Sequence, residues 1–202
     1  MESSFFSDLK KEKQLALLID AYYKDHLVYY DTERVADAKH QMAGVDVIFT
    51  HKSTKDTFYI DEKAQLDYIN EDLPTFAFEL SYLKKGVCKE GWLFDPKKKT
   101  DFYALITAIY QDEPTRFTTC NITLVNRKKL QLFLEGRKMT KNVLTHHATA
   151  HEGFHGKLKL AELQHRKEGY LYFSRSNKAE KPINLVLKLA FLIDEGIAKR
   201  LV

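Results

Sequence analysis

The sequence predicts an α/β fold, with a central sheet of about five strands flanked by helices. Three observations predict it. Runs rich in aromatic and β-branched residues recur between residues 45 and 125, and apolar stripes at helical spacing stand before and after them. Apolar residues make up 44% of the 202-residue chain, which is enough for a full core. Only 8 Gly and 4 Pro are present, so long flexible linkers are not expected.

The elements follow in order. Residues 5–25 read as a helix whose stripe is Leu15, Leu18, Ile19 and Tyr22, with Lys13, Asp20 and Lys24 on the wetter side. Residues 31–39 are helical or irregular and Gly44 ends them. Val45–Thr50 and Phe58–Ala64 read as strands joined by a polar hairpin turn. Phe76–Tyr82 is a third strand, and Gly91–Pro96 a short edge strand that stops at proline. Asp101–Tyr110 and Phe117–Val125 complete the sheet. Lys128–Leu134 forms a helix closed by Gly136, and Tyr170–Ser174 a last strand. Lys181–Val202 is a closing helix with Pro182 at its start and Leu185, Leu189, Leu192 and Ile193 as its stripe. The expected division is an α/β core over 1–136 and a basic helical extension over 137–202, packed on the same domain.

Charge supports that division. Residues 1–136 carry 19 Lys/Arg and 22 Asp/Glu, whereas 137–202 carry 13 and 6. An acidic half beside a basic half suits a protein that holds a cation with one and phosphates with the other. A solvated lysine-rich surface would look the same. No stretch approaches the roughly 18 apolar residues of a membrane span, and the first residues do not form a secretory signal. Cys88 and Cys120 are the only cysteines, which fits a reducing interior and an expected cytoplasmic location. Walker, dinucleotide-binding and nucleophile-elbow motifs are lacking, which argues against those chemistries.

The chemistry concentrates in two candidate strands. Val45, Val47 and Phe49 share one face and Asp46 points to the other; in the next strand Asp61 and Lys63 share a face opposite Ile60 and Glu62. If the strands pair, Asp46 and Asp61 reach one cation with Lys63 beside them. Mg²⁺ (or Mn²⁺) takes hard oxygen ligands and keeps several waters, so two carboxylates and the residue 62 carbonyl meet its needs.

Gly44-Val45-Asp46 followed by Asp61-Glu62-Lys63 resembles the PD-(D/E)xK nuclease superfamily, the restriction-endonuclease-like fold, over roughly residues 5–110. That resemblance implies a helix, a mixed sheet and a second helix, with an acid on one core strand and acid-x-Lys on the next. It implies a Mg²⁺-dependent deoxyribonuclease in which Asp46 and Asp61 are ligands and Lys63 orients water or holds developing charge. A third acid would come from Glu12 on the first helix or from Glu33. Gln65 stands where some members carry a glutamine after the lysine. Glu62 occupies a place where an apolar residue is common; it is a rival ligand to Asp61, but shares no face with Lys63. Glu79, between Phe78 and Leu80, is a further ligand candidate from a neighbouring strand. The partner would be nucleic acid, with DNA favoured over RNA, and a homodimer would allow both strands to be cut. The alternative is a non-catalytic nucleic-acid-binding protein on the same fold.

Other features carry less. Trp92 could stack on a base. Lys84, Lys85, Lys97, Lys98 and Lys99 lie in turns where they could meet phosphates. His147, His151 and His155 have helical spacing, but Gly153 and Gly156 interrupt the helix and neither an acid nor a cysteine completes a zinc shell.

Overall fold

The computed structural model describes residues 2–202 apart from 115, 152 and 177, with side chains described from residue 11 onward. It is α/β, with a mixed six-stranded sheet, a second sheet of five strands and five α-helices. The chain forms two compact units, each assembled from separated segments.

The first unit takes residues 1–73, 100–124 and 199–202. Helix α1 (Glu2–His26) extends the expected 5–25 at its start. The 31–39 segment is not helical throughout: it gives β1 (Tyr30–Arg34), then a five-residue helix α2 (Ala38–Met42) capped by Asp37. Strands β2 (Val47–His51) and β3 (Thr57–Ala64) form the expected hairpin, and β1 pairs antiparallel outside β2. Strand β3 then pairs in parallel with β6 (Phe102–Glu113), which neighbours β7 (Arg116–Asn126), and β11 (Ala198–Arg200) closes the order β1-β2-β3-β6-β7-β11. Parallel partners need a long crossover. Here it is not a helix but a 3₁₀ turn at Leu66–Tyr68 followed by strands β4 (Thr75–Lys84) and β5 (Val87–Glu90) of the other unit.

The core of this unit forms where α1 meets one sheet face. Leu15, Ile19 and Tyr23 pack against Val47, Phe49, Ile60, Ala104, Ile106 and Ile122. The buried stripe therefore runs through Tyr23, with Tyr22 only partly buried, because 3.6-residue spacing carries Ile19 to Tyr23 as readily as to Tyr22. Ile60, Glu62, Ala104 and Ile106 point toward α1; Asp61 and Lys63 point away from it.

The second unit takes residues 74–99 and 125–198 and holds the sheet β5-β4-β10-β9-β8. Its strands include β8 (Gly156–Leu158), β9 (Gly169–Phe173) and β10 (Ile183–Lys188). Helices α3 (Arg127–Gly136) and α4 (Lys141–Ala150) are capped by Asn126 and Thr140, whose side chains accept from Lys129 and Val143 N–H groups. Gly169 permits a close approach: a Cβ there would sit 2.3 Å from the Val186 carbonyl oxygen. Arg137 ties the unit together, bonding Glu168 at 2.7 Å and stacking 4.7 Å over Phe133.

Four expectations are corrected here. Phe76–Tyr82 is a strand, but of a second sheet rather than the first. Gly91–Pro96 is turn, and the edge strand is the preceding Val87–Glu90. The closing helix is instead β10, a six-residue helix α5 (Leu189–Asp194) and β11. Ile183, Leu185, Val186 and Leu187 are all buried, so that run reads as a two-sided core strand, which matches helical spacing only by coincidence. Finally, residues 137–202 are not a helical extension, because they supply β8, β9 and β10 to the second sheet.

Candidate metal centre

Asp46 lies just before β2, at the point where the chain leaves α2. Gly44 makes that exit: its φ of +72° is open to glycine and strained for other residues, and the Thr100 hydroxyl donates to its carbonyl at 2.8 Å. Asp46 N–H then donates to the Ile60 carbonyl at 2.8 Å, and Val35 N–H donates to the Asp46 carbonyl. The Asp46 carboxylate turns to β3, where Oδ2 accepts the Glu62 N–H at 2.8 Å. A side chain thus does what a backbone carbonyl does along the rest of the ladder, and this fixes the carboxylate against β3.

Asp61 is only 2% exposed, and Lys63 Nζ donates to its Oδ1. Its Oδ2 is buried without a hydrogen-bond partner. Burial pushes the Asp46 carboxyl up to about 6, and the neighbouring Asp61 charge pushes the same way, while the Glu62 N–H and the Lys63 charge oppose them. Two carboxyls and one ammonium therefore meet on the face away from α1. One acid is reluctant to ionise and the other has an unsatisfied oxygen. A proton on Asp46 or a bound cation relieves both conditions.

Glu62 points the other way. Arg34 NH1 donates to its Oε2 at 2.7 Å, the Tyr23 hydroxyl donates to Oε1 at 3.0 Å, and Arg34 also grips Asp20 at 2.5 Å. Burial lowers the Arg34 pKa, but the hydrogen bonds to Asp20 and Glu62 outweigh it and leave the pKa raised. Burial and Glu62 likewise raise the Tyr23 phenol well above its usual range. The Glu62 carboxylate is thus committed to a latch between α1, β1 and β3. This corrects its place as a side-chain ligand; only its carbonyl remains for that role.

The remaining candidates separate by element. Glu12 is exposed on α1, which packs on the sheet face opposite Asp61, so the fold does not bring it to the acidic pair. Glu33 pairs with Ile48 and alternates with Arg34, which places it on the Asp61 side of β1. Gln65 follows β3, where its N–H donates to Ile106 O at 3.0 Å. Glu79 lies on β4 of the second unit. Among the described residues, no group of three or more His, Cys, Asp or Glu comes together as a metal set. Mg²⁺ in phosphate-handling sites often takes only one or two carboxylates, with substrate oxygens and waters as its other ligands, and the Asp46–Asp61 pair fits that pattern.

Sequence reasoning missed the latch. A signal existed in Tyr23, four residues after Ile19, but the partnership with Arg34 depends on β1, a stretch that reads from the sequence as helical or irregular. Trp92 packs on Phe78 at 5.5 Å, a structural role. His155 Nδ1 accepts backbone N–H groups of Arg175 and Ser176, while His151 Nδ1 contacts the His147 carbonyl, so these imidazoles serve local structure.

Comparisons with protein-family models, curated proteins and solved structures return no match. Among the described residues, no helix is long and apolar enough to cross a membrane.

Proposed function

We propose that this chain is a Mg²⁺- or Mn²⁺-dependent nuclease acting on DNA, of the PD-(D/E)xK type. The observation that carries the reading is the meeting of Asp46, Asp61 and Lys63 on one face of two adjacent strands. Supporting it are an antiparallel β1–β2–β3 meander and a parallel β3–β6 pair behind a first helix.

In this reading Asp46 and Asp61 hold the cation, with the carbonyl of residue 62 available beside them. A bound divalent ion supplies polarisation of the scissile phosphate and a lowered pKa for water. Lys63 supplies positive charge toward the negative charge that develops on phosphorus oxygens, and its bond to Asp61 fixes the ammonium in place. The Tyr23–Glu62–Arg34 latch holds β3 from the opposite face and so sets where Asp61 and Lys63 stand. Glu33 is the third acid favoured by its face; Glu12 is disfavoured by its own.

The test is cleavage of a labelled panel of linear duplex, single strand, flap, four-way junction and RNA with Mg²⁺ or Mn²⁺. Cleavage lost in Asp61→Asn supports the reading and reveals the substrate class. Cleavage that survives this change places the activity elsewhere and refutes the site.

A second reading has its own observation: the Lys63–Asp61 ion pair can neutralise the site without a metal. A protein that binds nucleic acid without cutting would keep that pair. Failure to bind Mn²⁺ together with salt-dependent DNA binding would favour it.

A further inference from the structure

The second unit holds a cavity of about 220 Å³ beside α4, between that helix and strands β4, β5 and β10. Arg175 and Lys181 line it together with Ser81, Tyr82 and Thr145, and among the described residues no carboxylate lines it. Neither cation has a salt-bridge partner among the described residues. The Arg175 Nε is buried and lacks a hydrogen-bond partner among the described residues. Buried donors of this kind are rare in folded proteins and call for an acceptor. The residue is held locally on both its backbone and its side chain. His155 receives its backbone N–H at 3.1 Å, and the guanidinium lies 6.0 Å over the Phe173 ring. The turn that carries Lys181 is also fixed, since Lys181 N–H donates to the Lys178 carbonyl at 3.1 Å and Leu83 N–H to the Glu180 carbonyl at 2.6 Å.

We propose that this pocket binds a phosphate group, either as a small free ligand or at the end of a nucleic-acid strand. Two cations, with no acid among the described lining residues, match a tetrahedral dianion, and a planar guanidinium with an unsatisfied N–H is the side chain best shaped for its oxygens. The volume is below that of ordinary drug-sized sites, roughly 300–1,000 Å³, and so suits a small anionic group. The strand-end source rests on the nuclease reading; phosphate binding itself does not.

The experiment is calorimetric titration of the full chain with inorganic phosphate at low ionic strength. It is followed by competition with one oligonucleotide prepared with and without a terminal phosphate. Saturable binding with a Kd near or below about 1 mM is expected. Arg175→Gln should weaken it at least about tenfold, and Arg175→Lys should restore it only in part, because the fork is lost. Lys181→Gln, at an exposed side chain, should weaken it without disturbing the fold. Competition only by the terminally phosphorylated strand identifies a strand end. No competition by either strand, with Arg175-dependent phosphate binding retained, identifies a small phosphate ligand. Absence of saturable binding, or binding indifferent to both Arg175 and Lys181, overturns the proposal. Asp61→Asn should leave phosphate binding unchanged, so failure here and failure of the nuclease site are read separately.

Discussion

Replacing Asp46 with Asn should stabilise the metal-free protein at neutral and alkaline pH and do little at mildly acidic pH. The Asp46 carboxyl stands at about 6 in the fold, against about 4 in an unfolded chain. The folded state therefore binds this proton more tightly than the unfolded state. The fold carries no penalty from Asp46 at low pH; the penalty grows as pH rises from about 4 and is complete above about 6. At about 1.4 kcal/mol per pH unit of displacement the full cost is at most about 3 kcal/mol, and partial solvation of Asp46 reduces it toward about 1–2 kcal/mol. Asn retains an oxygen for the Glu62 N–H, so that contact adds an offset that does not vary with pH. Urea unfolding of both proteins in chelator across about pH 4 to pH 8 isolates the effect as the change in their stability difference, because other titrating groups are common to both. Adding Mn²⁺ at high pH should stabilise the parent more than the variant. A stability difference that stays flat with pH would refute the claim that Asp46 and Asp61 share a desolvated, like-charged site.

Three further outcomes are expected. Lys63→Ala should abolish cleavage while leaving the fold and most DNA binding intact, read by the labelled panel and by gel shift; unchanged cleavage would sink its role. Tyr23→Phe removes one hydrogen bond to Glu62 while Arg34 keeps the other oxygen, so it should cost about 1 kcal/mol in urea unfolding. Gly44→Ala forces a side chain into φ +72° and should cost about 1–2 kcal/mol by the same measurement. A larger share of that loss should appear as weakened Mn²⁺ binding than for a substitution of equal cost in the second unit.

The legible parts of this chain were those with local signals. The β2–β3 hairpin announced itself by alternating Val47, Phe49, Phe58 and Ile60 around a polar turn, and the face shared by Asp61 and Lys63 followed from strand geometry alone. Strand β1 was hidden because Tyr30–Arg34 is a polar outer strand with one half-buried residue and four exposed ones. Strand β10 was hidden for the opposite reason, since a strand buried on both faces loses its alternation. Two strands of the second sheet were legible, Phe76–Tyr82 and Tyr170–Ser174, but the sheet they share was not. It pairs β4 with β10 about a hundred residues along the chain, and long-range pairing leaves no trace in local periodicity. Glu12 failed as a site candidate because distance along a helix says nothing about which sheet face the helix covers.

The route from β3 to β6 has a consequence for synthesis. Strand β3 ends at Ala64, and its parallel partner is complete only at Glu113. At ribosomal speeds of roughly 5–20 residues per second, an open edge of β3 waits for roughly 2–10 s. An apolar strand left unpaired for that long invites a neighbouring nascent chain to add itself. The Asp61-Glu62-Lys63 triplet lies in the middle of this waiting edge and places charges of both signs there. Asp61 and Lys63, proposed here for phosphodiester chemistry, would thus with Glu62 also keep the emerging chain from joining a stranger before its own sixth strand arrives.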